Sequence, residues 1–336
     1  VLAGAPARRV REAGGVSVGA TTAVGMSCPI CAAPLPEPTV EAPDRLHGTG
    51  GTHQVAVCWV CGAGVTLPRV SDEELGAFYP QEYGPYDEQL GGWQRIASRL
   101  IRAFQGWSEF RSAPLAALSE RPPGRGLDVG CGRGDLAVML MGHGWTMSGV
   151  EPSPAACAAA TARGIEVSCG TLSTVALDPD SYDAVTFRHS LEHTNDPVAD
   201  LRRIRTALAP GGVVLITVPN FGGWQARRLR SSWFHLDLPR HRVHFTPAAL
   251  ERALAAGGLE VVSVTTSSSP VGMPASLQYR MFGRCLFPGG LRLRVATGLC
   301  ALALPLVLGL DAVAGPGGLP GDLLHAVARR PAGGPG

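Results

Sequence analysis

Three groups of residues in this 336-residue chain have the types and spacing that chemistry requires. The first is HSLEH at 189–193, which sets His189 and His193 four apart with Glu192 beside the second. On one face of a helix, two such histidines bind zinc and the glutamate serves as base for hydrolysis. The second group is two CxxC turns, Cys28 with Cys31 and Cys58 with Cys61, separated by 26 residues. Each turn offers two thiolates to one tetrahedral ion, and two turns close a four-sulfur site. Gly62 follows the second pair and lets that knuckle turn. Four sulfurs leave no open position, so the expected ion is a structural Zn2+. A redox CxxC of the thioredoxin kind would stand in a βαβ unit, and these turns do not. The third group is GLDVGCGRGD at 126–135, running from a strand into a helix. Gly130, Gly132 and Gly134 let the backbone pass close to a ligand at the carboxyl edge of a sheet. A dinucleotide fingerprint would want a third glycine at 135, where Asp135 stands. Glu151 ends the next strand, 19 residues beyond Gly132, where an acid accepts both hydroxyls of a ribose. Nucleoside binding is the expectation.

The elements that must position these residues alternate from 126 to about 265. Apolar runs GLDVG, TMSGVE, IEVSCG, YDAVTF, GVVLITVP and LEVVSV are separated by helical stretches DLAVMLMGHG, SPAACAAATARG, DPVADLRRIRTALAPGG and TPAALERALAAGG. That rhythm predicts βαβ units and a parallel sheet. HSLEH then follows the strand YDAVTF, and the next helix starts later: Asn195 or Asp196 caps it and Pro197 fits its first turn. The peptidase geometry is therefore not expected. Upstream, 27–68 reads as a zinc ribbon and 69–120 as a mostly helical linker with a capping box from Ser71 to Glu74. RPPGR at 121–125 is a break before a domain over 121–330. Within that domain, 270–319 is a Gly/Pro-rich insertion. Its run 295–310, VATGLCALALPLVLGL, has sixteen residues without a charge and contains Pro305. A membrane span needs about 20. The run is expected as an interfacial or re-entrant segment with peripheral membrane contact through 291–314, an oligomer contact, or a buried helix pair. GDLLHAVARR after it reads as one more strand. Residues 1–26 read as a disordered tail or an over-long gene start.

Composition narrows the classes. Hydrophobic residues make up 45% and charged ones 17%, enough for a core and against global disorder. A net charge of +2, with no basic stripe around the cysteine turns, argues against nucleic acid as a partner. Of nine cysteines, five are scattered: Cys131, Cys157, Cys169, Cys285 and Cys300. An odd count without a secretory signal predicts a reducing, cytoplasmic setting and no disulfide framework, at the inner membrane face if the apolar run makes contact there.

LDVGCGRGD, GVEPS, YDAVTFRHSLEH and LRRIRTALAPGGVVLITVPN, in that order and spacing, resemble the successive motifs of class I S-adenosylmethionine-dependent methyltransferases. CPIC and CWVCG, followed by VTLPRVSDEELGAFYPQEYGPY, resemble the amino-terminal zinc ribbon and tyrosine-rich linker of a bacterial branch that includes sugar methyltransferases. The PRHxxHFT segment of that branch is present as PRHRVHFTP at 239–247. The resemblance implies an α/β fold: a Rossmann-like class I methyltransferase sheet with helices on both faces. An N-terminal zinc ribbon and a C-terminal hydrophobic insertion before the last strand complete it. It also implies that Asp128, Gly130, Cys131, Gly132 and Gly134 cradle the methionine part of S-adenosylmethionine. Glu151 takes the ribose hydroxyls, Gly170, Thr171 and Leu172 border the adenine, and Pro152 and Arg188 are counted among the cofactor-binding residues. An acid often occupies position 171 in this family, so Thr171 puts the usual contact to the adenine amino group in doubt.

Methyl transfer is an in-line displacement at a sulfonium, so the enzyme must align the nucleophile and remove its proton. Histidine is the usual base near neutral pH. HSLEH at a strand end and PRHRVHF in a loop on the acceptor side point to His193 and His241 as base pair or relay. Glu192 comes next, then His189 and His244, with Tyr83 and Tyr86 of the linker lining the pocket. The acceptor expected is a small or lipid-linked molecule, a sugar or polysaccharide precursor. Two other classes remain open: a nucleotide-sugar oxidoreductase using a nicotinamide dinucleotide, against which the glycine spacing argues, and a non-catalytic zinc-ribbon binding module, against which the glycine loop and Glu151 argue.

Overall fold

The computed structural model of the chain describes residues 25–49, 51–78, 115, 117, 118, 120–269, 271–284 and 321–332. Most of the linker, with Tyr83 and Tyr86, and the apolar run 295–310 lie outside the described residues. Strands β1 (Val40–Pro43), β2 (Thr52–Val57) and β3 (Gly64–Leu67) pair antiparallel, and the second CxxC turn joins β2 to β3. Ser71 then caps the short helix α1 (Asp72–Leu75). Its hydroxyl accepts the Glu74 N–H and the Glu74 carboxylate accepts the Ser71 N–H, the reciprocal pair read from the sequence.

The alternating segment forms the expected Rossmann-like sheet. Its parallel strands are β4 (Arg125–Val129), β5 (Thr146–Glu151), β6 (Glu166–Cys169), β7 (Tyr182–Arg188) and β8 (Leu208–Pro219). After β9 (Val243–His244), which belongs elsewhere, β10 (Glu260–Ser267) and β11 (Leu323–Arg329) complete it, in the order β10-β11-β8-β7-β4-β5-β6. GDLLHAVARR supplies β11, antiparallel to both neighbours. Helices α2 (Asp135–Met141), α3 (Pro154–Thr161), α4 (Pro197–Ala207), α5 (Trp224–Leu229), α6 (Pro247–Ala256) and α7 (Gly272–Phe282) connect the strands. The run from Val213 to Val218 in β8 is buried throughout, as a central parallel strand covered on both faces must be. In α4, Val198, Leu201 and Ile204 recur at helical spacing and face the core. Asp196 caps that helix through the Ala199 N–H at 2.9 Å, with Pro197 next.

Two expectations are corrected. PRHRVHF is not simply a loop. Val243 and His244 form β9, which pairs with Val65 and Gly64 of β3 and gives the ribbon a fourth strand, β1-β2-β3-β9. Val243 and Phe245 are fully buried, and that alternation outweighs the polar residues between them. The ribbon therefore shares one core with the main domain: Ile30, Val65 and Leu67 lie in the same cluster as Leu191, Val243 and Leu250. The Gly/Pro-rich segment opens with a regular helix, α7; Gly272 and Pro274 stand in its first turn, where backbone donors have no helical partner to lose. Second, Cys157 on α3 and Cys169 at the end of β6 form a disulfide of 1.98 Å, with Cα atoms 6.1 Å apart. A count of cysteines is blind to a helix and the following strand that bring two of them together. Among the described residues, no helix is long and apolar enough to cross a membrane.

Candidate active site

The loop after β4 sits where the carboxyl edge of the sheet meets α2. Gly130, Gly132 and Gly134 all have positive φ, +73°, +54° and +78°. A Cβ on Gly130 would lie 2.5 Å from Ser190 Cβ, and one on Gly134 would strike Ile165. A Cβ on Gly132 would meet nothing within 4 Å, so this glycine borders open space. Gly132 N–H donates to Glu151 Oε2 at 2.8 Å and Ser153 N–H to Oε1 at 2.9 Å, which fixes the carboxylate at the end of β5. Each of its oxygens keeps lone-pair capacity for a further hydroxyl. Asp128 is buried and accepts the Thr186 hydroxyl at 2.6 Å. Burial pushes its carboxyl up to about 6. Cys131 turns its thiol inward, where a Cβ on Gly149 would lie 2.5 Å from the sulfur, and its N–H donates to Val150 O. Its contribution to the loop is packing rather than a group aimed at a ligand.

Around the edge, Gly170 N–H donates to Glu151 O at 2.9 Å. The Cys157 sulfur lies 3.1 Å from the same carbonyl, so the disulfide flanks the Glu151 backbone. Thr171 N–H donates to Thr174 Oγ1 at 3.0 Å and its hydroxyl meets Ser173 at 2.7 Å. Leu172 is buried, Pro152 is exposed and Arg188 half-buried at the end of β7, its positive charge opposing the upward shift of Asp128.

HSLEH occupies the neighbouring strand end. His189 has φ +54°, Leu191–His193 form one 3-10 turn, and α4 begins only at Pro197. The two histidines share no helix face, and the peptidase arrangement is absent. Ser190 packs over Gly130 and donates to Val129 O at 2.6 Å, so HSLEH is keyed to the glycine loop. Glu192 is 1% exposed, and neither carboxylate oxygen has a hydrogen-bond partner. His189 Nδ1 is 3.5 Å away and His241 Nε2 3.9 Å. Carbonyls only accept, so His193 Nδ1–H donates to Arg240 O at 3.0 Å and His241 Nδ1–H to His235 O at 2.8 Å. The two rings meet edge to face at 4.8 Å. Burial, with the His193 charge beside it, pushes His241 well below the ordinary imidazole value. The structure therefore brings Glu192, His193 and His241 together.

His244 is set apart. The Thr66 hydroxyl donates to His241 O at 2.6 Å and so accepts from His244 Nε2–H at 3.0 Å. Burial pushes His244 down to about 3, and its place is a structural one in β9. Two residues without a sequence signal join the same wall. Asp322 is fully buried, accepts the Ser269 N–H at 2.6 Å and lies 3.2 Å from His235 Nε2. The His235 ring lies parallel to His189 with centroids 6.5 Å apart. Asp322 stood in plain view before the last strand, but only the tertiary fold brings it to His235. Below them, Arg240 is 1% exposed and donates to both oxygens of Asp44 at 3.0 and 2.7 Å, to Asp237 at 2.6 Å and to Phe78 O at 3.0 Å.

The four ribbon cysteines converge, with Cys28 Sγ 3.6 Å from Cys61 Sγ and Cys31 Sγ 3.5 Å from Cys58 Sγ. The knuckles match: Ala32 N–H donates to Cys28 O and Gly62 N–H to Cys58 O. Gly62 has φ +75°, and Ala32 takes the equivalent place at +58°. The Cys61 thiol beside it holds Cys28 below the ordinary thiol value, while Cys61 and Cys31 are held above it. This donor set fits one tetrahedral zinc.

Residues 99–264 match the profile of a methyltransferase domain. The ubiquinone biosynthesis O-methyltransferase of Aeromonas salmonicida is 32% identical over 193 residues, 52% of this chain and 81% of the relative. That of Idiomarina loihiensis is 29% identical over 151 residues, 41% of this chain and 62% of the relative. A solved S-adenosylmethionine-dependent methyltransferase from Mesorhizobium loti aligns with 64% of this chain and 96% of its own, at 21% identity and a TM-score of 0.43.

Proposed function

The chain belongs to the S-adenosylmethionine-dependent methyltransferases, and from that premise we propose that it methylates a small or lipid-linked acceptor, a sugar or polysaccharide precursor. The observation that carries the reading is the convergence of Glu192, His193 and His241 at the carboxyl edge, on a segment keyed to the glycine loop through Ser190. When bound, S-adenosylmethionine supplies a methyl group already attached to its leaving group. Gly132 leaves room for it, and the Glu151 carboxylate offers its remaining lone pairs to the ribose hydroxyls. Asp128 and Gly130 shape the floor, and Gly170 to Leu172 border the adenine. On the other side, His241 presents an imidazole kept neutral by burial, Glu192 stands beside it, and both promote loss of the acceptor's proton. The zinc ribbon's part is positional: through β3 and Thr66 it holds the segment that carries His241.

A second acceptor class has a specific observation behind it. The relatives named above are ubiquinone biosynthesis O-methyltransferases, which favours oxygen as the methylated atom and an acceptor from that pathway. Incubation with methyl-labelled S-adenosylmethionine and two acceptor panels, nucleotide-linked sugars and hydroxylated quinone precursors, tests both. Label in the sugar panel supports the primary reading, and label only in the quinone panel replaces it with the second. Label in neither panel, at enzyme concentrations that bind cofactor, counts against both.

A further inference from the structure

We infer that Glu192, His193 and His241 form a second metal site, which takes a divalent transition-metal cation at the rim of the acceptor pocket. Their ligand atoms lie within 4.8 Å of one another, so side-chain shifts of about 1 Å would bring all three to metal–ligand bonds of about 2.1 Å. Two features separate this from an ordinary polar cluster. Each histidine donates its Nδ1–H to a backbone carbonyl, Arg240 O or His235 O, which fixes the tautomer that presents the Nε2 lone pair. Such an outer carbonyl is the usual partner of a metal-bound histidine. Glu192, in turn, is almost wholly buried with both carboxylate oxygens unpartnered, which is costly for a charge without a cation. A direct proton bridge does not serve, because the 3.9 Å between Glu192 Oε1 and His241 Nε2 exceeds hydrogen-bond range.

Two imidazoles and one carboxylate suit Zn2+, Co2+ or Fe2+ better than Mg2+ or Ca2+. Three protein ligands leave positions open, unlike the closed four-sulfur site of the ribbon. An acceptor oxygen bound there would lose its proton more readily, the cation taking over the role given above to His241 and Glu192, whose lone pairs it occupies. That role rests on the methyltransferase reading; the binding of the cation does not. HSLEH thus supplies metal ligands, but through Glu192 and His193 with His241 from β9's segment, not through His189.

The test uses the full chain with zinc already in the ribbon. Co2+ is titrated in, and bound cobalt and visible absorption are measured. The expected result is one further cobalt per chain, with bands of nitrogen and oxygen ligation and no sulfur charge-transfer band. Glu192→Gln and His241→Gln should each weaken it about tenfold or more, with ribbon zinc and S-adenosylhomocysteine affinity as in the wild type. No cobalt beyond the ribbon in the wild type overturns the inference. So does cobalt affinity unchanged from the wild type in both variants. Retained cofactor affinity shows that a variant is folded, and where it is lost the wild-type stoichiometry decides. Failure of the wild type to bind S-adenosylhomocysteine would sink the methyltransferase reading and leave the cobalt count to stand or fall alone.

Discussion

Gly130 and Gly132 have similar backbones and should fail differently when given a side chain. At Gly130 an added Cβ meets Ser190 at 2.5 Å, so Gly130→Ala combines backbone strain with a clash. The expected cost is about 1–3 kcal/mol, with a lowered melting temperature. At Gly132 the added Cβ enters open space beside Glu151, so Gly132→Ala carries only the strain, about 1 kcal/mol. Its larger effect should be a loss of S-adenosylhomocysteine affinity of about tenfold, read by calorimetry, because the proposed function gives the crowded space to the cofactor. Undiminished affinity in Gly132→Ala would move the cofactor away from this loop. At this scale the sequence was informative where a residue type carries its own chemistry, as with the four CxxC cysteines, which converge. It could not tell that Cys131 turns inward, nor that His244 is held by Thr66, because both depend on neighbours distant in sequence.

Among the elements, the joint between ribbon and main domain is the feature with most at stake. Arg240 precedes β9 and is pinned to Asp44, just after β1, in a fully buried ion pair. The guanidinium beside Asp44 holds its carboxyl well below the usual carboxylate range, although burial alone would raise it. Asp44→Ala should cost about 3–5 kcal/mol by leaving a buried charge short of a partner, toward the lower end because Asp237 remains. The double replacement Asp44→Ala with Arg240→Met should cost less than the single, in denaturant unfolding. A single-variant loss below about 0.5 kcal/mol would show the pair to be no more than a surface contact. The strands β4 to β8 and the caps of α1 and α4 were legible because period and capping chemistry are local. β9 was not: two residues among arginines and histidines become a strand only because β3 offers an edge.

For the molecule as a whole, buried histidines set a pH dependence. Burial, helped by His189, pushes His325 down to about 4, between the Thr217 and Ser267 hydroxyls. In the unfolded chain this imidazole protonates near pH 6.5, and in the folded chain only near pH 4. Below pH 6.5 the unfolded state therefore holds more protons, and stability falls as pH falls across that window. One such group contributes about 1.4 kcal/mol per pH unit. His325→Asn should remove that much acid sensitivity between pH 6 and 4.5, measured as the slope of unfolding free energy against pH. An unchanged slope would mean that the imidazole already titrates normally. The Rossmann-like sheet was readable from motif succession. The shared core was not, because nothing local marks which apolar faces meet.

The central claim is that the edge formed by Gly132 and Glu151 binds S-adenosylmethionine. Calorimetric titration of the full chain with S-adenosylhomocysteine, with NADH as the competitor class, tests it most directly. The account predicts one site per chain at micromolar affinity, abolished or weakened at least about tenfold by Glu151→Ala, and no heat from NADH. Saturable binding of NADH with none of S-adenosylhomocysteine would contradict it.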